Sequence, residues 1–97
     1  MEIFKLSKPV TINGAEKSEI EYDLESLTGA DVQQALKELA NKSYMPGSTE
    51  VDPLYHAAIF AQAAGLSLDD VSLLKAKDFN KITQIVRNFF LIPSEEQ

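Results

Sequence analysis

His56 is the only histidine in this 97-residue chain, and there is no cysteine. A zinc centre takes three or four nitrogen, sulfur or carboxylate ligands, and an activated nucleophile needs a base within hydrogen-bond reach. No second histidine or cysteine exists to complete either set, so His56 reads as an ordinary helix residue. Asp69 and Asp70 form an adjacent carboxylate pair, a combination that can do acid–base work. They follow Ser67 at a helix start, where free N–H groups and the positive end of the helix dipole account for both. No GxGxxG, Walker A, HExxH or GxSxG pattern occurs, so nothing points to a nucleotide, a metal, an acyl enzyme or any cofactor. The expectation is a protein without enzymatic activity.

A second spacing points to nucleic acid. Ala61 and Gly65 stand four residues apart ahead of a short helix in YHAAIFAQAAGLSLDDVSLLKAKDF, as in a helix-turn-helix. The charges oppose that reading, because Asp69 and Asp70 sit where a recognition helix meets phosphates and base edges. The later Lys75, Lys77, Lys81 and Arg87 offset this only in part. Nine basic against fifteen acidic side chains leave a net charge of −6, which repels nucleic acid and anionic lipid alike. The acidic groups are also uneven. Glu16, Glu19, Glu21, Asp23, Glu25 and Asp31 share one stretch with Lys17 as their basic counterweight. That stretch is either a solvated strand face and helix start or a docking patch for a basic partner. No signal-peptide pattern and no apolar run of roughly 18 residues appears, so the expectation is a soluble chain that stays in the cytoplasm.

The elements that carry these residues are legible from turns and caps. Ninety-seven residues, 44% of them hydrophobic, make one domain spanning 1–97 with a single core. Ile3–Leu6 and Pro9–Ile12 read as a first strand with a kink or edge position at Pro9. Asn13-Gly14 is a hairpin turn signal. Ser18–Leu24 alternates Ile20, Tyr22 and Leu24 with charged neighbours and reads as the returning strand, so the hairpin covers about 3–24. Thr28 and Asp31 resemble a capping box opening a helix over about 29–42, with Val32, Ala35, Leu36, Leu39 and Ala40 as its apolar stripe. A loop containing Pro46-Gly47 follows. Asp52-Pro53 starts a second, alanine-rich helix over 53–64 that ends before Gly65. Ser67 and Asp70 cap a short third helix over about 68–74, and Asp78 reads as the N-cap of a fourth over about 79–91. The predicted class is α+β: a hairpin followed by about four helices.

Two blocks carry a family resemblance: FKLSKPVTINGAEKSEIEYDLESLTGAD, with its Leu-Ser-Lys-Pro opening, Asn-Gly turn and Leu-Thr-Gly-Ala-Asp helix start, and AAIFAQAAGLSLDDVSLLKAKDFNKITQIVRNFFL, with Ala-Gly-Leu, Leu-Lys-Ala-Lys-Asp-Phe and Val-Arg-Asn-Phe-Phe. In length and order they resemble the phage tail assembly chaperones of the Mu and P2 type. The resemblance implies a protein of a bacteriophage or prophage, acting in virion assembly in the host bacterial cytoplasm. Its implied partners are the tape measure protein, which it keeps soluble, and the tail-tube protein assembling around it.

A chaperone for a long helical protein should offer an apolar helix face under an acidic shell. Phe89, Phe90, Leu91 and Ile92 are the candidate partner-binding residues, because one helix buries only about one face in a small core. The competing reading places all four in the core, between the hairpin and the alanine-rich helix. The same apolar end and the alanines also allow a homo-oligomer. The remaining alternatives are an acidic helix-turn-helix-like regulator and a structural tail protein retained in the virion.

Overall fold

The computed structural model describes residues 1–91 and has the expected α+β architecture. Strands β1 (Glu2–Ile12) and β2 (Ala15–Tyr22) form an antiparallel hairpin. Helices α1 (Gly29–Asn41), α2 (Pro53–Ala64), α3 (Leu68–Val71) and α4 (Ala76–Leu91) follow. Asn13 and Gly14 hold φ of 53° and 81°, the double left-handed conformation that a two-residue turn requires to match the strand twist. This tight turn starts β2 at Ala15, earlier than the predicted Ser18. The strand ends at Tyr22 because the Asp23 N–H leaves the ladder and donates to the Ala63 carbonyl of α2, 3.1 Å away.

α2 is the centre of the molecule. Tyr55 through Ala61 are all buried, and the helix touches α1, α3, α4 and β2. A helix surrounded on every side must be apolar on every side. Its alanines, with Ala57, Ala58 and Ala61 fully buried, allow the neighbours to approach. Phe60 supplies the bulk, its ring 5.0 Å from that of Tyr22. Local chemistry sets the ends of α2. Asp52 accepts from the Leu54 and Tyr55 N–H groups at 2.9 and 3.2 Å, and Gly65 closes the helix in the left-handed region at φ 70°.

β1 reaches the helices through an irregular segment. Lys5 pairs with Glu19 and Val10 with Lys17, so residues 6–9 of β1 lie opposite Ser18 alone. Such a bulge takes backbone groups out of the ladder. There the Ser7 N–H and Oγ–H donate to the Asp78 carboxylate, with closest distances of 2.9 and 3.0 Å. Asp78 is only 1% exposed. This corrects its sequence assignment as an N-cap. α4 already starts at Ala76, with the Phe79 N–H bonded to the Lys75 carbonyl at 2.8 Å, which leaves Asp78 inside the first turn and free to hold β1.

Two more sequence expectations change. α3 is one turn and not the predicted 68–74. Ser72 Oγ donates to the Leu68 carbonyl, and Leu73 and Leu74 switch to bonds three residues back, a tightening that ends the helix. On α1, Ala35 and Leu39 are buried and Val32 is half-buried, but Leu36 is 36% exposed and Ala40 is exposed. The covered stripe is narrower than the sequence pattern. Leu39→Ala should therefore cost about 2–5 kcal/mol, and Leu36→Ala about 1 kcal/mol or less, as read by urea denaturation; equal losses would mean that α1 is rotated from this placement.

Candidate functional site

The candidate residues at the end of α4 are held in different environments. Phe89 is half-buried and packs against the core one turn beyond Ile85. Phe90 and Leu91 are each 44% exposed. Ile92 lies outside the described residues. The Phe90 ring stands edge-on to Phe89, with centroids 5.3 Å apart, so an exposed aromatic surface continues directly from a packed one. The reading that put all four in the core is not what α4 does at Phe90 and Leu91.

Beside Phe89 runs a groove of about 280 Å³, lined by Ile85, Phe89, Tyr22 and Leu24 and by the acidic Glu2, Asp23 and Glu25, with Met1 at its edge. Hairpin register builds one wall, since Glu2 pairs with Tyr22 at the open end of the sheet. Burial raises the Tyr22 hydroxyl pKa, and the nearby Glu2 charge raises it further. The acidic stretch seen in the sequence is thus divided. Asp31 is spent on capping, accepting from the Thr28 N–H at 2.9 Å, whereas Asp23 and Glu25 reach this groove. Glu2, far from that stretch in sequence, joins them through strand pairing, which no local pattern announces. A larger groove of about 620 Å³ lies between β2 and the C-terminal end of α2 and mixes Lys17 with Glu16, Glu19 and Glu21.

The helix-turn-helix geometry does not form. α3 has a single turn, and its start is already occupied. Glu38 of α1 accepts from the Leu68 N–H at 2.7 Å, Ser67 and Asp70 cap reciprocally at 3.1 Å, and Lys42 pairs with Asp69 at 2.6 Å. These contacts attach α3 to α1 and leave no reading helix to present.

His56 sits in the first turns of α2, 1% exposed, and its Nε2 has no hydrogen-bond partner among the described residues. Burial lowers its pKa and the Arg87 charge adds to this, against the opposing effects of the Thr49 backbone and Asp52. The ring is held neutral. Burial pushes the Asp52 carboxyl up, but the Tyr44 hydroxyl at 2.6 Å and the backbone N–H groups of Tyr55, Leu54 and Gly47 outweigh it and keep it below the ordinary aspartate value. Asp52 secures the start of α2. Among the described residues, no group of three or more His, Cys, Asp or Glu is placed to hold a metal ion.

What the molecule offers is a small acidic α+β domain with an exposed aromatic helix end beside an apolar groove, the equipment of a protein-binding module. The family model for phage tail assembly chaperone proteins, E, or 41 or 14, matches residues 3–91, and the chain belongs to that family. Neither the curated proteins nor the solved structures contain a match to it.

The neutral, buried His56 makes stability dependent on pH. Its folded pKa lies below the unfolded value of about 6.5, so its contribution is complete above that pH and is lost as pH falls toward the folded pKa. Asp52 adds a similar loss at lower pH, below about 3.9. The melting temperature should drop on acidification from about pH 7 to about pH 5, and His56→Leu should flatten that drop. An unchanged slope in the variant would remove His56 as its cause.

Proposed function

We propose that the chain is a non-enzymatic tail assembly chaperone that binds the tape measure protein in the host bacterial cytoplasm, keeps it soluble, and delivers it to the assembling tail-tube protein. The observation that carries this reading is the end of α4, where Phe90 and Leu91 are each 44% exposed on a protein of net charge −6. A long helix with an unpaired apolar seam self-associates. Covering the seam with an apolar face replaces that self-contact, and the acidic shell keeps the complex dispersed. The work is binding alone, with no bond made or broken.

Co-expression with a phage tape measure protein, a long helical chain, is the test. The chaperone should raise that partner's soluble yield and be pulled down with it. Phe90→Asp should leave the melting temperature nearly unchanged, because Phe90 is already partly in water, while placing an unpaired charge in the complex at a cost of a few kcal/mol of binding. Full rescue of the partner by the folded variant would remove the end of α4 as the surface. No binding by the unmodified protein, or its recovery as a component of purified virions, would overturn the chaperone reading.

A further inference from the structure

The groove beside Phe89 narrows the kind of segment this surface accepts. Its floor is apolar, formed by Ile85 and Phe89 on α4 and by Tyr22 and Leu24 at the exit of β2, and among the described residues the charged side chains along it are the carboxylates of Glu2, Asp23 and Glu25. The basic side chains of α4 lie elsewhere. Lys77 and Lys81 are on its N-terminal half, with Lys75 just before its start, and Arg87 acts on His56 on the α2 side. At this end of the sheet the Asp23 N–H is taken up by the Ala63 carbonyl, and the groove is lined by residues of α4 on one side and of the β2 exit on the other. The groove, about 280 Å³, has room for an anchoring apolar side chain but not for a whole helix, which would instead lie along the exposed ring of Phe90.

We propose that this groove docks a cationic amphipathic helix, with an apolar anchor seated against Ile85, Phe89 and Leu24 and flanking Lys or Arg side chains facing Glu2, Asp23 and Glu25. The inference rests on the chaperone reading only for its biological partner, since the groove's chemistry stands by itself. A helix suits it because residues three and four apart on one face place a cation beside an apolar knob. The carboxylates are partly or fully exposed, so they speed and select encounter more than they add affinity, and salt weakens their effect.

Two synthetic amphipathic helical peptides with the same leucine stripe, one flanked by lysines and one by glutamates, provide the probe. Fluorescence anisotropy with the full chain should show the lysine peptide binding at least about tenfold more tightly at low salt, with the difference shrinking as salt rises. The triple variant Glu2→Gln, Asp23→Asn, Glu25→Gln should abolish the preference while retaining the melting temperature. Equal binding of both peptides, a preference that survives in the folded triple variant, or no binding of either would overturn the groove assignment. If neither peptide binds but the chain still holds its tape measure protein, the groove inference falls alone. If the peptides behave as expected but the tape measure protein is not held, the chaperone reading falls and the groove remains.

Discussion

Everything in this fold is arranged around a helix with no face for water. From Tyr55 to Ala61 each residue of α2 is buried, and a chain of 97 residues can cover such a helix only by using nearly all its other elements as walls. α1, α3, α4 and β2 each supply one. The two-stranded hairpin is marginal alone and gains its stability by lying on this helix, through Ile12, Ile20 and Tyr22. Because the apolar faces of α1 and α4 are directed inward at α2, apolar side chains beyond that contact are left in the open. The exposed end of α4 follows from that geometry, as does the half-covered stripe of α1.

Polar contacts fix how the walls stand. The Asp78 carboxylate holds the bulged backbone of β1 at Ser7, joining parts of the chain 71 residues apart. Glu38 and Lys42 fasten α1 to the start of α3, and Tyr44 and Asp52 close the loop onto α2. The buried pairings matter more than the exposed one. Asp78 and Asp52 would leave N–H donors unsatisfied if removed, whereas Lys42–Asp69 is a surface ion pair of small consequence. The Asp78 contact ties β1 to the first turn of α4, and the groove between Glu2, Leu24 and Phe89 lies at the other end of that helix.

Features governed by neighbouring residues were legible in the sequence. The Asn13-Gly14 turn, the Thr28–Asp31 and Ser67–Asp70 caps, the Asp52-Pro53 start and the Gly65 stop each express a local conformational preference. What escaped depends on distant partners. Asp78 looked like a cap because its true partner lies near the other end of the chain. Leu36 fitted the stripe of α1, but its exposure is decided by how much of that helix α2 can reach. At the candidate surface, the pattern named the end of α4 without separating half-buried Phe89 from exposed Phe90 and Leu91, since consecutive apolar residues give no phase. The groove was invisible for the same reason: its walls meet only when Glu2 pairs with Tyr22. The family resemblance was legible because it rests on the order of such local features along most of the chain.

Hydrogen–deuterium exchange of the chain, alone and mixed with the tape measure protein proposed as its partner, tests the central claim most directly because it reports where a partner sits without altering the chain. Slowed exchange on binding is expected in residues 85–91 of α4 and in residues 22–25 at the exit of β2, with α1 and the loop at 43–52 unchanged. Protection that instead falls on α1 or that loop, with none at the end of α4, would contradict the assignment of this surface as the chaperone's binding face.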